Sequence, residues 1–237
     1  MYFSICYIIT GSLILAAILI SLFAEIKVYS NYNKYKEERS PLDMTGSELA
    51  NKLAYDNNIG IKVVKCKGNL TDHYNPIDKT LNLSESNYDG RSIAAHAIVA
   101  HEFGHAMQDA EEYAPLKVRQ IAIKMSRYSS VMLLPLIIIA ILFELFFLNQ
   151  FYGDVILYIV AGVYFLAVVV NLITVPVEYN ASHRAKKLLE TQMGISKENM
   201  VGVSKVLNAA ALTYLASLLI SVLYLLRIFL LIYARKR

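Results

Sequence analysis

Two histidines and a glutamate form the pattern in this 237-residue chain that most directly suggests chemistry. In His101-Glu102-Phe103-Gly104-His105 the histidines lie four residues apart, and the glutamate follows the first of them. On a helix, side chains at i and i+4 lie about 6 Å apart on one face, so both imidazoles can reach one tetrahedral zinc ion. Glu102 would then face the water that the zinc activates. The spacing predicts the core of a zinc hydrolase.

A zinc site of this kind needs a third protein ligand, and the sequence offers two acidic candidates. Asp109 follows His105 by four residues, but it lies eight residues after His101, about 12 Å along a straight helix. We therefore expect Asp109 beside the ligands and not among them. Glu178 begins an amphipathic stretch just after Pro176, where a second helix could supply the carboxylate. The same glutamate would equally suit the first turn of that helix as a cap, so the residues alone leave its role open.

The elements that must position these residues can be predicted from local patterns. Thr45-Gly46-Ser47-Glu48 fits a capping box and opens a short helix. Residues 61–66 and Thr80–Ser84 have strand patterns. The Ala-rich stretch 92–112 contains one glycine and no proline, which predicts the helix that carries the motif. The segment 25–128 is thus predicted to be a small soluble α+β catalytic insert.

Several residues near the motif could act on the substrate side. The strand at Thr80–Ser84 directly precedes the helix of the motif, so we expect an extended substrate to add beside it as an extra strand. A further donor usually stabilises the oxyanion in this chemistry. The polar candidates are His73, Tyr74 and His183, and the sequence does not choose among them.

The composition indicates a membrane protein. Hydrophobic residues make up 56% of the chain and the mean hydropathy is +0.43, both above the values of ordinary soluble domains. The apolar residues form four runs, each long enough to cross a core of about 30 Å: 2–24, 129–148, 155–175 and 209–233. Residues 176–208 would hold the helix with the third candidate ligand and a connector. We therefore predict a mostly α membrane protein with four transmembrane helices, the first retained as an anchor.

Lysine and arginine residues flank the predicted spans unevenly. They cluster near the spans in segments 27–39, 117–127 and 184–187, whereas the short loop 149–154 has none. The positive-inside rule therefore predicts a multi-pass protein of the cell membrane with its site on the cytoplasmic face, although residues 235–237 run against this orientation. The net charge of +4 is accounted for by these flanking residues, so no nucleic-acid partner is expected.

Two charged residues fall inside predicted spans. In the proposed topology Glu144 and Arg227 both lie near the outer ends of their helices. They could pair across the bundle, or each could extend separately to the outer headgroups. The sequence leaves both arrangements open.

The chain resembles the YugP-like neutral zinc metallopeptidases of bacterial membranes, which are similar in plan to HtpX-like and prenyl-protein-processing membrane peptidases. The resemblance runs through TGSELANKL (45–53), DHYNPIDKTLNLSES (72–86), SIAAHAIVAHEFGHAMQDAEEYAPLKVR (92–119), TVPVEYNASHRA (174–185) and KVLNAAALTYLA (205–216). It implies a gluzincin-type arrangement in which His101, His105 and Glu178 bind one zinc ion per chain. Glu102 would be the general base.

The chain departs from the family pattern beside the implied ligand Glu178. The family usually shows Phe and Asp where this chain has Tyr179 and Asn180. Soluble gluzincins often carry an Asp where this chain has Ser182, so the resemblance leaves open which residue orients His101 or His105. Together with Asp109, His183, His73 and Tyr74, Ser182 completes our set of residues expected around the ligands or on the substrate side.

Three functions remain open from the sequence. The first is a membrane-anchored zinc endopeptidase that hydrolyses peptide bonds of membrane or membrane-proximal proteins. The second is a protease that cleaves within the membrane, but only about 17 residues separate Arg91 from Asp109, barely a span. The third is a zinc-binding scaffold, for which a proton acceptor such as Glu102 would be unnecessary. The expected partners are a protein or peptide substrate and the lipid bilayer; a membrane-protein partner or a second copy of the chain is left open.

Overall fold

The computed structural model describes residues 2–125, 135, 138, 139, 142 and 150–235. The predicted span 129–148 lies almost wholly outside this part of the chain. Glu144 lies outside it as well, so its pairing with Arg227 stays a prediction.

In the described part of the chain, three helices are long and apolar enough to cross a membrane. They are α1 (Tyr2–Glu37), α6 (Gln150–Lys187) and α7 (Lys197–Arg235). Within the described residues, the candidate spans fall at Ile8–Glu37, Asp154–Gln192 and Lys197–Ala234. The described residues therefore contain helices at three of the four predicted spans, and the count of four is not confirmed.

One predicted boundary differs from the structure. We expected a separate helix and connector at 176–208, but α6 runs without a break from Gln150 to Lys187, with Pro176 inside it. A proline inside a helix removes one backbone hydrogen bond and can bend the helix. Long apolar helices tolerate such a proline without ending there. Glu178 consequently lies well inside α6 and caps no helix, which removes the alternative role.

The described residues divide into two compact units, of which one is helical. It comprises the described parts of 1–22, 118–175 and 214–237. Within it the rings of Tyr164 and Tyr224 stack with centroids 5.3 Å apart. The other unit, residues 23–117 and 176–213, mixes helices with a sheet and contains every candidate site residue.

The second unit contains a three-stranded mixed sheet. Its strands are β1 (Lys62–Cys66), β2 (His73–Asn75) and β3 (Thr80–Ser84). Their spatial order is β1-β3-β2, with β1 and β3 parallel and β2 and β3 antiparallel. The strand that we expected to bind substrate, β3, is therefore hydrogen-bonded on both sides and cannot accept another strand. The free edges belong to β1 and β2.

Three helices pack against this sheet: α2 (Gly46–Asp56), α3 (Glu85–Tyr88) and α4 (Ile93–Ala110). A further helix, α5, is described over 114–125. The predicted capping box at the start of α2 is confirmed: Thr45 Oγ1 accepts from the Glu48 N–H at 3.2 Å, and the Glu48 carboxylate accepts from the Thr45 N–H at 2.6 Å. The core is formed by side chains with no exposed area, the largest being Phe103, Leu49, Leu53, Leu81 and Leu83.

Candidate metal centre

Three side chains that can bind a metal converge between α4 and α6. His101 and His105 project from α4, and Glu178 projects from α6. The Glu178 Oε2 atom lies 3.1 Å from His101 Nε2 and 3.5 Å from His105 Nε2. One ligand atom of each residue lies within 4.8 Å of the other two. The two predicted ligands on one helix and the predicted ligand on a second helix are thus brought to a single point.

The separations of these atoms fit a zinc ion. Tetrahedral zinc with bonds of about 2.0–2.2 Å holds its ligand atoms roughly 3.3–3.6 Å apart. The two distances to Glu178 Oε2, 3.1 and 3.5 Å, are close to that requirement. Two imidazole nitrogens and one carboxylate oxygen also form a donor set that zinc commonly takes in hydrolases. These three residues could therefore hold the zinc ion that the histidine motif implies.

A glycine lets the two helices approach at this point. A Cβ atom added to Gly104 would lie 2.7 Å from the carbonyl oxygen of Ala181 on α6. Because the obstacle is backbone, it could not move aside without moving the helix. Gly104 therefore sets the distance between α4 and α6, and with it the distance from the imidazoles to Glu178.

In each imidazole the Nδ1 atom, which is not the nitrogen that faces Glu178, is hydrogen-bonded to a neutral side chain. His101 Nδ1 lies 3.1 Å from Ser182 Oγ, and His105 Nδ1 lies 2.9 Å from Gln108 Oε1. Partners at Nδ1 orient a ring so that Nε2 faces the metal. Ser182, one of the residues named from the sequence, is the partner of His101. Gln108 was missed, although a residue three positions after a ligand on the same helix is a natural neighbour of it.

Glu102 lies on the side of the imidazoles that faces the sheet. It is half-buried, and its Oε2 accepts a hydrogen bond from the backbone N–H of Tyr74 on β2 at 3.0 Å. Loss of hydration raises the pKa of Glu102 to about 7; the carboxylates of Glu178 and Asp72 also raise it, while the charge of His101 and the Tyr74 N–H oppose the rise. A bound divalent cation would lower this pKa, because it favours the ionised carboxylate.

Tyr74 and Asp109 form a second contact between β2 and α4. The Tyr74 hydroxyl donates to Asp109 Oδ2 at 2.9 Å. Burial, and then the bond to Asp109, raise the pKa of Tyr74 above its ordinary value, so the hydroxyl stays protonated and remains a donor. Asp109 is thus a partner of Tyr74, and it is not one of the three convergent side chains.

The remaining two candidates are not brought to the cluster. His73 is exposed on β2, and its Nδ1 lies 2.9 Å from the carbonyl oxygen of Thr71. His183 is exposed on α6 and lines a separate cavity of about 360 Å³ together with Arg184 and Lys187. The structure thus supports neither as a group that contacts the three convergent side chains.

Comparison with known proteins identifies the family. The family profile described as "Putative neutral zinc metallopeptidase" matches residues 10–233. The chain is 39% identical over 216 residues to "Putative membrane protease YugP" of Bacillus subtilis (strain 168), covering 91% of this chain and 92% of that protein. No solved structure gives a significant match. The extent of both matches shows that this chain belongs to the neutral zinc metallopeptidase family.

Proposed function

We propose that the protein is a membrane-bound zinc endopeptidase of the gluzincin type. In this proposal His101, His105 and Glu178 hold one zinc ion per chain, and Glu102 is the general base. The observation that carries the proposal is the convergence of three ligand atoms from two helices at separations that suit zinc. Glu102, the residue after the proposed ligand His101, adds a half-buried carboxylate that can accept the proton in peptide hydrolysis.

Each of these side chains would have its own role in the reaction. When bound, zinc supplies a Lewis acid that polarises the scissile carbonyl and makes water more acidic. Glu102 accepts the proton from the attacking water and returns it to the leaving amine. The Tyr74 N–H holds the Glu102 carboxylate in place, with 3.0 Å between the nitrogen and Oε2. His101 and His105 are kept in one orientation by Ser182 and Gln108.

The substrate would bind along β2 and not along β3. Because the Tyr74 N–H points to Glu102, this backbone group faces away from β3, toward the free edge of the sheet. An extended peptide that adds to this edge would pass beside Glu102. Because that carboxylate already accepts from the Tyr74 N–H, the Tyr74 carbonyl on the same side of the strand would be left to fix the register of the peptide. The apolar helices of the same chain favour membrane or membrane-proximal proteins as substrates. The basic residues near the spans favour the cytoplasmic face for this site.

The fold favours this proposal over cleavage inside the membrane. Among the described residues, the helices apolar enough to cross a membrane are α1, α6 and α7, and α4 is not one of them. The helix that carries the histidines instead packs against α2 and the sheet. An enzyme with this arrangement would meet its substrate in water or at the membrane surface.

The proposal can be tested with two glutamate variants of the full chain purified in detergent. Zinc per chain and cleavage of casein would be measured for wild type, Glu102→Gln and the control Glu85→Gln, which alters an exposed carboxylate of α3. We expect zinc in all three proteins, and cleavage reduced about 10²–10⁴-fold in Glu102→Gln alone. Zinc without cleavage in any of them would favour the scaffold, and full activity of Glu102→Gln would remove Glu102 as the base.

A further inference from the structure

Gln108 is an amide buried completely between α4 and α6, with no exposed area. Its Oε1 lies 2.9 Å from His105 Nδ1. Its Nε2 donates to two oxygens of α6, the backbone carbonyl of Val177 and Oδ1 of Asn180, both at 2.9 Å. A buried amide is stabilising only when its donors and acceptor are all paired, and these are.

The partners of Gln108 decide which way the amide points. Two acceptor oxygens face one end of it, so that end must be the NH₂ group and the carbonyl must face His105. The Gln108 carbonyl can only accept, so Nδ1 of His105 has to carry the proton. With Nδ1 held by Gln108, Nε2 is the ring nitrogen left to bind a metal, and it is the nitrogen that faces Glu178.

The orientation of Asn180 is fixed in turn by a group that can only donate. Arg184 Nε donates to Asn180 Oδ1 at 2.8 Å, so the Asn180 oxygen, and not its nitrogen, faces both donors. Arg184 is held by Glu111, with its two terminal nitrogens 2.6 and 2.7 Å from the carboxylate oxygens. A guanidinium stays charged at any relevant pH, so it gives this chain of hydrogen bonds one fixed direction.

We propose that Gln108 is a positioning residue for the metal centre, and that Arg184 and Asn180 act through it. The series Arg184, Asn180, Gln108 holds a proton on Nδ1 of His105, so Nε2 is the nitrogen that a metal takes. The inference rests on the proposed zinc site for its purpose, but the hydrogen bond from Nδ1–H to Gln108 that it assigns belongs to the metal-free protein.

The proton on Nδ1 can be detected directly, independently of zinc. The chain has five histidines, so full-length protein labelled with ¹⁵N-histidine gives few ring signals, and ¹⁵N–¹H correlation spectra distinguish Nδ1–H from Nε2–H. In metal-free wild type we expect an Nδ1–H signal of His105 that exchanges slowly with water. In Gln108→Met, which keeps the volume but not the carbonyl, we expect this signal to be lost through fast exchange. Gln192→Met, on an exposed glutamine, is the matched control and should resemble wild type.

Zinc affinity, measured by competition with a chelator, supplies the second readout. Loss of a partner that orients a ligand typically weakens metal binding about 10–100-fold, and we expect this for Gln108→Met. Asn180→Asp retains the oxygen that accepts from both donors and should bind zinc within about threefold of wild type. A folded Gln108→Met protein with the wild-type Nδ1–H signal and wild-type affinity would overturn the inference.

A second variant decides the matter if Gln108→Met does not fold. Asn180 is half-buried, and Asn180→Leu removes one of the two oxygens that orient Gln108 and leaves the Val177 carbonyl as the other. We expect a several-fold weaker zinc affinity and a faster-exchanging Nδ1–H of His105, and wild-type values of both would overturn the proposed series. If wild type binds no zinc, the proposed function fails, while the Nδ1–H signals of wild type and Asn180→Leu still test the positioning role.

Discussion

The two sides of the candidate metal centre differ in the side chains that line them and in the elements that they join. On the α6 side the only carboxylate at the imidazoles, among the described residues, is the proposed ligand Glu178, and their Nδ1 atoms meet neutral and buried partners, Ser182 and Gln108. On the β2 side the neighbours are acidic and half-buried, namely Glu102, Asp72 and Asp109. The α6 side joins two helices through the close contact at Gly104, whereas the β2 side joins a helix to the edge strand of a small sheet.

This difference matches what each side would have to do. A neutral amide can be buried at lower cost than a carboxylate, provided that its hydrogen bonds are complete, so it suits a place where geometry must stay fixed. A carboxylate is tolerable where water still reaches it, and proton transfer needs such a group. We therefore expect changes on the α6 side to affect zinc binding and changes on the β2 side to affect turnover.

The largest effect should come from Glu178→Ala. It removes one of three proposed ligands, so zinc affinity should fall by more than about 100-fold, beyond the loss typical of an orienting residue. Asp109→Asn is the control on the β2 side and should keep its zinc. The measurement is zinc per chain after dialysis against a weak chelator. A fully zinc-loaded Glu178→Ala protein would contradict the assignment of zinc binding to the α6 side.

A smaller but clear effect is expected from Gly104→Ala. The new Cβ would meet the Ala181 carbonyl at 2.7 Å, and overpacking of this kind costs about 1–3 kcal/mol. The melting temperature should fall, and zinc should raise it less than in wild type because Glu178 moves with α6. The control is Gly162→Ala, on the long helix α6 that also carries Glu178. Nothing lies within 4 Å of the added carbon there, so this change should not destabilise the protein. Equal melting curves for the two variants would contradict the role of Gly104.

Tyr74→Phe should have a modest effect, and on turnover alone. It removes the hydroxyl that donates to Asp109 at 2.9 Å, a bond worth about 0.5–1.5 kcal/mol. If this bond steadies the strand that holds Glu102, kcat should fall roughly 2- to 10-fold while zinc affinity stays the same. Steady-state kinetics on a quenched peptide would show it. A loss of zinc in Tyr74→Phe would mean that the two sides are not separable.

The smallest effect is expected from Tyr179→Phe, which restores the residue usual in the family. The Tyr179 side chain is 69% exposed although it follows Glu178 directly. A surface change of this kind should alter stability by no more than about 0.5 kcal/mol and leave activity and zinc content unchanged. A large change in casein cleavage would show that Tyr179 contacts the substrate.

Local patterns in the sequence predicted the parts of the site that depend on near neighbours. The capping box at Thr45, the strands β1 and β3 and the helix that carries His101 and His105 all follow from residues a few positions apart. Each of these elements is decided by spacing and propensity within one segment.

Features that depend on distant segments were harder to predict. The order of the strands made β3 central, because the pairing of β2 and β1 on either side of it depends on contacts that no periodicity records. The role of Glu178 stayed open because Pro176 suggested the start of a helix, whereas α6 passes through it. Gln108 was overlooked because its importance comes from Val177 and Asn180 on another helix.

The central claim is that one zinc ion is held jointly by α4 and α6. Crystals of the zinc-loaded full chain, measured above and below the zinc absorption edge, would locate the ion by its anomalous signal. We predict a single site per chain, with His101 Nε2, His105 Nε2 and a Glu178 oxygen each about 2.0–2.2 Å from it. Zinc at any other place, or bound to both histidines without Glu178, would contradict the account.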